Sequence, residues 1–256
     1  SAPALYYWCS AHSGMGGAIN TNSTFGSSNF DGNKQSKVTA NQTSGFSMVE
    51  YSGSGSSSTI GHGLSSAPKM IMVKRMSSSD SWTVYHTASG AGKFLRLDTT
   101  GAEATNTNSW ANTAPTSTVF SVNHDDTNAS GQTFQAYCFA DVDGYQKMGL
   151  YKGNESTDNA FVYTGFKPSF VLIKNIHGTN NWMLFDNKRE GYNPDNDALH
   201  PNINDAEQTD DEIDLLSNGF KIRLSNQETG HNGHRYAYFA IGQTMVGSNN
   251  VPATAR

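Results

Sequence analysis

The chain has 256 residues, enough for one large β domain or two smaller ones. Only 15% are charged, and Ser, Thr, Asn, Gln and Gly supply the polarity, a balance unlike a typical cytosolic enzyme and suited to extracellular or virion-surface β proteins. A net charge of −5, with no basic run longer than Lys74-Arg75 or Lys188-Arg189, excludes a nucleic-acid backbone binder, and no apolar run reaches the ~18 residues of a membrane span.

Residues 1–45 open on Leu5-Tyr6-Tyr7-Trp8-Cys9 and then become polar and rich in Gly, Ser and Asn. From Phe46 onward, short strands are predicted in close succession. GFSMVEYSG runs into a Ser/Gly turn, and Lys69 to Lys74 is an apolar run consistent with a strand buried on both faces. Ser81 to His86 alternates and is dense in β-branched and aromatic residues. Phe94 to Asp98, Val119 to Val122 and Phe134 to Ala140 complete this set. The order then recurs: Met148 to Tyr151, Phe161 to Tyr163, Phe170 to Lys174, Trp182 to Asp186, Gly219 to Leu224 and Arg235 to Ile241. One short helix is predicted, Asp210 to Leu216, with carboxylates in its first turn.

The two sets share a register offset by 100 residues: Tyr51 falls on Tyr151, Pro68 on Pro168, Lys74 on Lys174, Trp82 on Trp182, Phe120 on Phe220 and Phe139 on Phe239. A period this long marks a duplicated domain or half-domain rather than a solenoid. The expected fold is therefore an all-β sandwich built from two repeats, 46–147 and 148–256. Residues 1–45 would be a polar segment, read as the end of a truncated earlier copy. Tyr7 to Ala11 can be laid on Ala136 to Ala140, which carries that reading.

Few residues announce chemistry. Cys9 and Cys138 both sit in aromatic strand-like stretches, where a buried free thiol is commoner than a disulfide. Asn193, Asp195, Asn196, Asp197, Asn202, Asn204 and Asp205 have oxygens spaced for Ca²⁺, but the EF-hand pattern fails and Asx-turns in a solvated loop account for them. His231 and His234 flank an Asn-Gly hairpin turn. Glu50, Glu103, Glu155, Glu207 and Glu228 read as solvated surface groups, outside any motif. No metal, cofactor or catalytic set is expected, and the chain reads as non-enzymatic. Trp82 and Trp182 read as equivalent core residues. Trp110, alone in a polar loop, reads as an exposed contact, as does Tyr192 with Asn193 and Asn196.

Several segments together resemble a domain found in the C-terminal part of tailed-bacteriophage virion proteins, chiefly tail fibres of marine and cyanobacterial phages. They are GFSMVEYSGSG, HGLSSAPKMIMVKR with SWTVYH, TAPTSTVF, YCFADVDGYQKMGLYKGN, FVYTGFKPSFVLIKN with NWMLFDNKR, LSNGFKIR and the terminal GSNNVPATAR, and the resemblance covers about residues 40–256. The resemblance implies a virion location, other virion proteins as partners, a homo-oligomer (a trimer in a fibre), and contact with a host surface glycan or receptor. Two alternatives accompany it: a capsid or other virion decoration protein, and a glycan depolymerase. The depolymerase lacks both a β-helix repeat and a clear acid pair.

Overall fold

The computed structural model describes residues 5–8, 16–19, 26–189, 193 and 195–242. In chain order the strands are β1 (Leu5–Trp8), β2 (Gly16–Ile19), β3 (Ser27–Asn29), β4 (Ser36–Asn41), β5 (Phe46–Ser52), β6 (Ser58–Gly61), β7 (Met70–Arg75), β8 (Thr83–His86), β9 (Lys93–Arg96), β10 (Ala104–Thr105) and β11 (Val119–Val122). A one-turn helix, α1 (Asp125–Asn128), precedes β12 (Thr133–Phe139). The second half holds β13 (Gln146–Lys152), β14 (Phe161–Tyr163), β15 (Pro168–Asn175), β16 (Trp182–Asp186), β17 (Asp195–Ala198), β18 (Gln208–Leu216), β19 (Gly219–Ile222) and β20 (Arg235–Gly242).

Two sandwiches stand back to back, giving four layers. The first packs an eight-stranded sheet, β10-β9-β8-β7-β12-β5-β4-β3, against the pair β11-β6. The second packs β13-β20-β15-β16 against β14-β19-β18-β17. Period-two alternation sends each inner strand's side chains to two different cores. In β12, Phe134, Ala136 and Cys138 enter the first sandwich, while Phe139 faces the other way. In β20, Tyr236, Tyr238 and Ala240 enter the second sandwich, and Ala237 and Phe239 face the first. Met70, Val84, Leu95, Met148, Leu172, Ile176 and Trp182 complete the buried set of this middle core, which binds the two repeats together. Met70 to Val73 are apolar throughout for this reason: they lie in a sheet covered on both faces.

The 100-residue register reappears as equivalent contacts. Lys74 donates through Nζ to the carbonyl of Asp80, and Lys174 does the same to Asn180. Gly53 and Gly153 lie where a Cβ would come within 2.1 Å of the Ala129 carbonyl and 2.4 Å of the His231 carbonyl, respectively, so both turns require glycine. The copies differ at one side. In the first, β4 pairs with β5 from Ser36–Tyr51 to Asn41–Phe46, and the segment before it lies along β6 through the parallel Lys34–Ile60 bridge. The N-terminal polar segment thus supplies two strands to the first sandwich. In the second, among the described residues, β13 pairs only with β20 and β14 only with β19.

The helix expected at Asp210 to Leu216 is instead strand β18. Ile213 and Leu215 are buried in the second core, while Asp214 and Leu216 alternate outward. Antiparallel pairing to β19, from Ile213–Ile222 to Leu216–Gly219, overrides the local helix signal. Tyr7 and Trp8 lie in a separate hairpin, β1 with β2, outside the sandwich sheets.

Candidate functional site

The residues singled out from sequence do not converge. Trp110 is 1% exposed and belongs to the first core, edge-on to Tyr85 at 5.7 Å, so it is no surface contact. Ala111 and Asn112, both at φ 49°, turn the loop back and drive the indole inward. Tyr192 lies outside the described residues, and Asn196 is described only as backbone in β17. Asn193 is exposed, yet its side chain works as an internal clip: Oδ1 accepts from the Leu215 N–H at 2.8 Å and Nδ2 donates to its carbonyl at 3.0 Å.

Other expectations resolve case by case. Trp182 is buried and donates its indole N–H to the Arg96 carbonyl at 2.8 Å, joining the repeats, whereas Trp82 is half-buried beside Tyr137. Cys138 is a free, buried thiol pushed up to about 12 by desolvation, while Cys9 lies outside the described residues. Asn202, weighed for calcium, instead accepts the Trp182 N–H at 2.9 Å and donates to Asn181 at 2.8 Å. Among the described residues no group of three His, Cys, Asp or Glu side chains is arranged for a metal.

Glu103, expected to be solvated, is a correction. Its carboxylate is 8% exposed and lies between Lys93, at 2.5 Å, and Arg235 of the second repeat. The sequence signal was missed because the cation from β20 is remote in the chain. Glu212 was also missed, having been assigned to a helix. It is fully buried, accepts from Thr229 Oγ1 at 2.7 Å and Asn226 Nδ2 at 2.5 Å, and is pushed up to about 7 by desolvation.

What the fold does assemble is a polar hollow on the second sandwich. An open cavity of about 580 Å³ is lined by Thr157, Asn193, Asp211, Asp214, Arg223 and Leu224. Arg223 Nε lies 3.3 Å from Asp214 Oδ2, so a planar donor fork and a carboxylate border the space together. Across the same outer sheet, Phe161 and Tyr163 stand 47% and 60% exposed on β14, with Lys147 Nζ 5.3 Å from the Tyr163 ring centroid. Rings that offer a flat apolar face, beside amide, carboxylate and guanidinium groups, suit a hydroxyl-rich ligand. Asp211 and Asp214 take these positions because 208–216 is a strand, where a helix was expected.

No curated protein and no solved structure matches the chain. A family model described as a domain of unknown function (DUF7483) matches residues 20–244, and the chain belongs to that family.

Proposed function

We propose that this chain is a non-enzymatic virion protein of a tailed bacteriophage, the distal part of a tail fibre, and that it contacts a host surface glycan through the outer sheet of its second sandwich. The observation that carries the site is the hollow at Asp214 and Arg223 on the same sheet as the exposed Phe161 and Tyr163. The virion assignment rests on the sequence resemblance. The doubly covered middle sheets make a rigid support, and adhesion by such a module draws its strength from several copies acting together.

Binding of the fluorescently labelled chain to host cells tests the site. The double variant Asp214→Ala, Arg223→Ala should lower binding about tenfold while the melting temperature holds. Undiminished binding by the folded variant would sink the assignment. Cryo-electron microscopy of the virion tests the location: density at the tips of tail appendages supports the adhesin, and density spread over the capsid lattice makes the chain a decoration protein.

A further inference from the structure

Three histidine rings meet at one end of the second sandwich. His177 and His234 are stacked, with centroids 4.5 Å apart and planes inclined by 19°, and the His231 ring, tilted by 40°, lies 4.3 Å from that of His234. His234 therefore contacts two imidazoles. Its Nδ1 meets Asn175 Nδ2 at 3.1 Å. The orientation of that amide is fixed by its other bonds. Asn175 Oδ1 accepts the backbone N–H groups of His177 and Gly178 at 2.9 and 3.0 Å, and Nδ2 faces Asn180 Oδ1 and the Gln227 carbonyl. The nitrogen of His234 that faces Asn175 must then be the acceptor, free of a proton.

Asn175 is fully buried and organises the loop that follows β15. That loop reaches the first repeat at three points. The Asn180 N–H donates to the Thr100 carbonyl at 3.0 Å, Lys174 Nζ donates to the same carbonyl at 2.9 Å, and the Glu103 N–H donates to the Ile176 carbonyl at 3.2 Å. An event at His234 is thus one residue removed from the seam between the two repeats.

We propose that His234 is an acid-sensitive latch: its protonation turns the acceptor into a donor facing the Asn175 amide, and frees residues 177–180 from the first repeat, while Ile176 stays anchored in the middle core. The ionisable groups around it act in known directions. Desolvation and the neighbouring His231 and His177 hold its affinity for a proton below the ordinary histidine value, against a smaller opposing pull from Glu155. Glu155 lies 3.9 Å from His231 Nε2, and Arg235, the next residue in the chain after His234, pairs with Glu103 of the first repeat. The middle core of apolar side chains does not titrate, so release is local rather than global.

Amide hydrogen exchange of the whole chain at pH 7.5 and 5.0, corrected for intrinsic rates, tests this. Protection over residues 177–180 should fall at least tenfold at the lower pH while β7, β12, β15 and β20 stay protected. His234→Asn places a carbonyl oxygen where Nδ1 stood and accepts from Asn175 at every pH, so it should keep the loop protected at pH 5.0. Equal protection of the wild-type loop at both pH values would overturn the proposal. Loosening of the loop in the Asn variant would overturn it too, by assigning the effect to another group.

Discussion

The hydroxyls of Tyr51 and Tyr151 perform the same task in the two sandwiches. Tyr51 donates to the Thr127 carbonyl at 2.6 Å, and Tyr151 donates to the Thr229 carbonyl at 2.8 Å. Each ring is stacked on its cross-strand partner, Phe134 at 5.4 Å and Tyr236 at 4.9 Å, and each meets a second ring edge-on, Phe120 or Phe220. One ring thereby pins the strand, the small sheet and the loop behind it in both copies.

Removing either hydroxyl leaves a buried carbonyl without its donor. Tyr51→Phe and Tyr151→Phe should each cost about 1–2 kcal/mol of stability, and by similar amounts. Urea unfolding of the two variants checks both the size and the equivalence. A twofold or larger disparity would show that the duplicated residues no longer carry duplicated loads.

Acid and base sensitivities of opposite sign are built into the interior. Glu212 is pushed up to about 7 in the fold from an ordinary value of 4.5, so folding takes up a proton between those values. Stability linked to Glu212 is therefore present below pH 4.5 and lost as pH rises to 7, by about 3 kcal/mol at most. Glu212→Gln should match the wild type near pH 4.5 and exceed it above pH 7. His86 behaves in reverse. It is buried, its Nε2 donates to the Tyr238 carbonyl at 3.0 Å, and its Nδ1 accepts the Ala88 N–H at 3.0 Å. Desolvation pushes it down to about 4 from 6.5, so the stability it contributes is lost as pH falls from 6.5 through 4. His86→Gln should therefore gain on the wild type over that interval. Melting curves from pH 4 to 8 on the two variants separate these slopes.

Trp110 should matter for stability rather than for binding. Trp110→Ala removes one of the largest fully buried side chains and should cost about 3–5 kcal/mol. Trp110→Phe should cost much less, because the indole N–H finds no hydrogen-bond partner among the described residues. Denaturant midpoints rank the two, and cell binding by the folded Phe variant should equal that of the wild type.

Cys138 should be inert in the native protein. Its thiol is fully buried and pushed up to about 12, so the reactive thiolate is scarce at neutral pH. In a Cys9→Ser background, a thiol reagent should label the chain only after denaturation. Rapid native labelling would mean that β12 opens readily.

The duplication and strands at Lys69 to Lys74 and Phe170 to Lys174 were legible in the amino-acid sequence. Local alternation and a shared register need only short-range information. The same kind of reading failed at Asp210 to Leu216. Carboxylates ahead of an apolar pair satisfy helix rules locally, and only pairing with β19 made the segment a strand. It failed again at Trp110 and Glu103, because burial is set by partners far away in the chain: Tyr85 for the indole and Arg235 for the carboxylate. Sequence determined that there are two similar β units in a register offset by 100 residues. The tertiary structure alone decided that they stack through a common middle core, that among the described residues only the first carries added strands beside β5, and that His177, His231 and His234 meet. These are contacts between elements that no local pattern encodes, since the free energy that selects them comes from long-range packing.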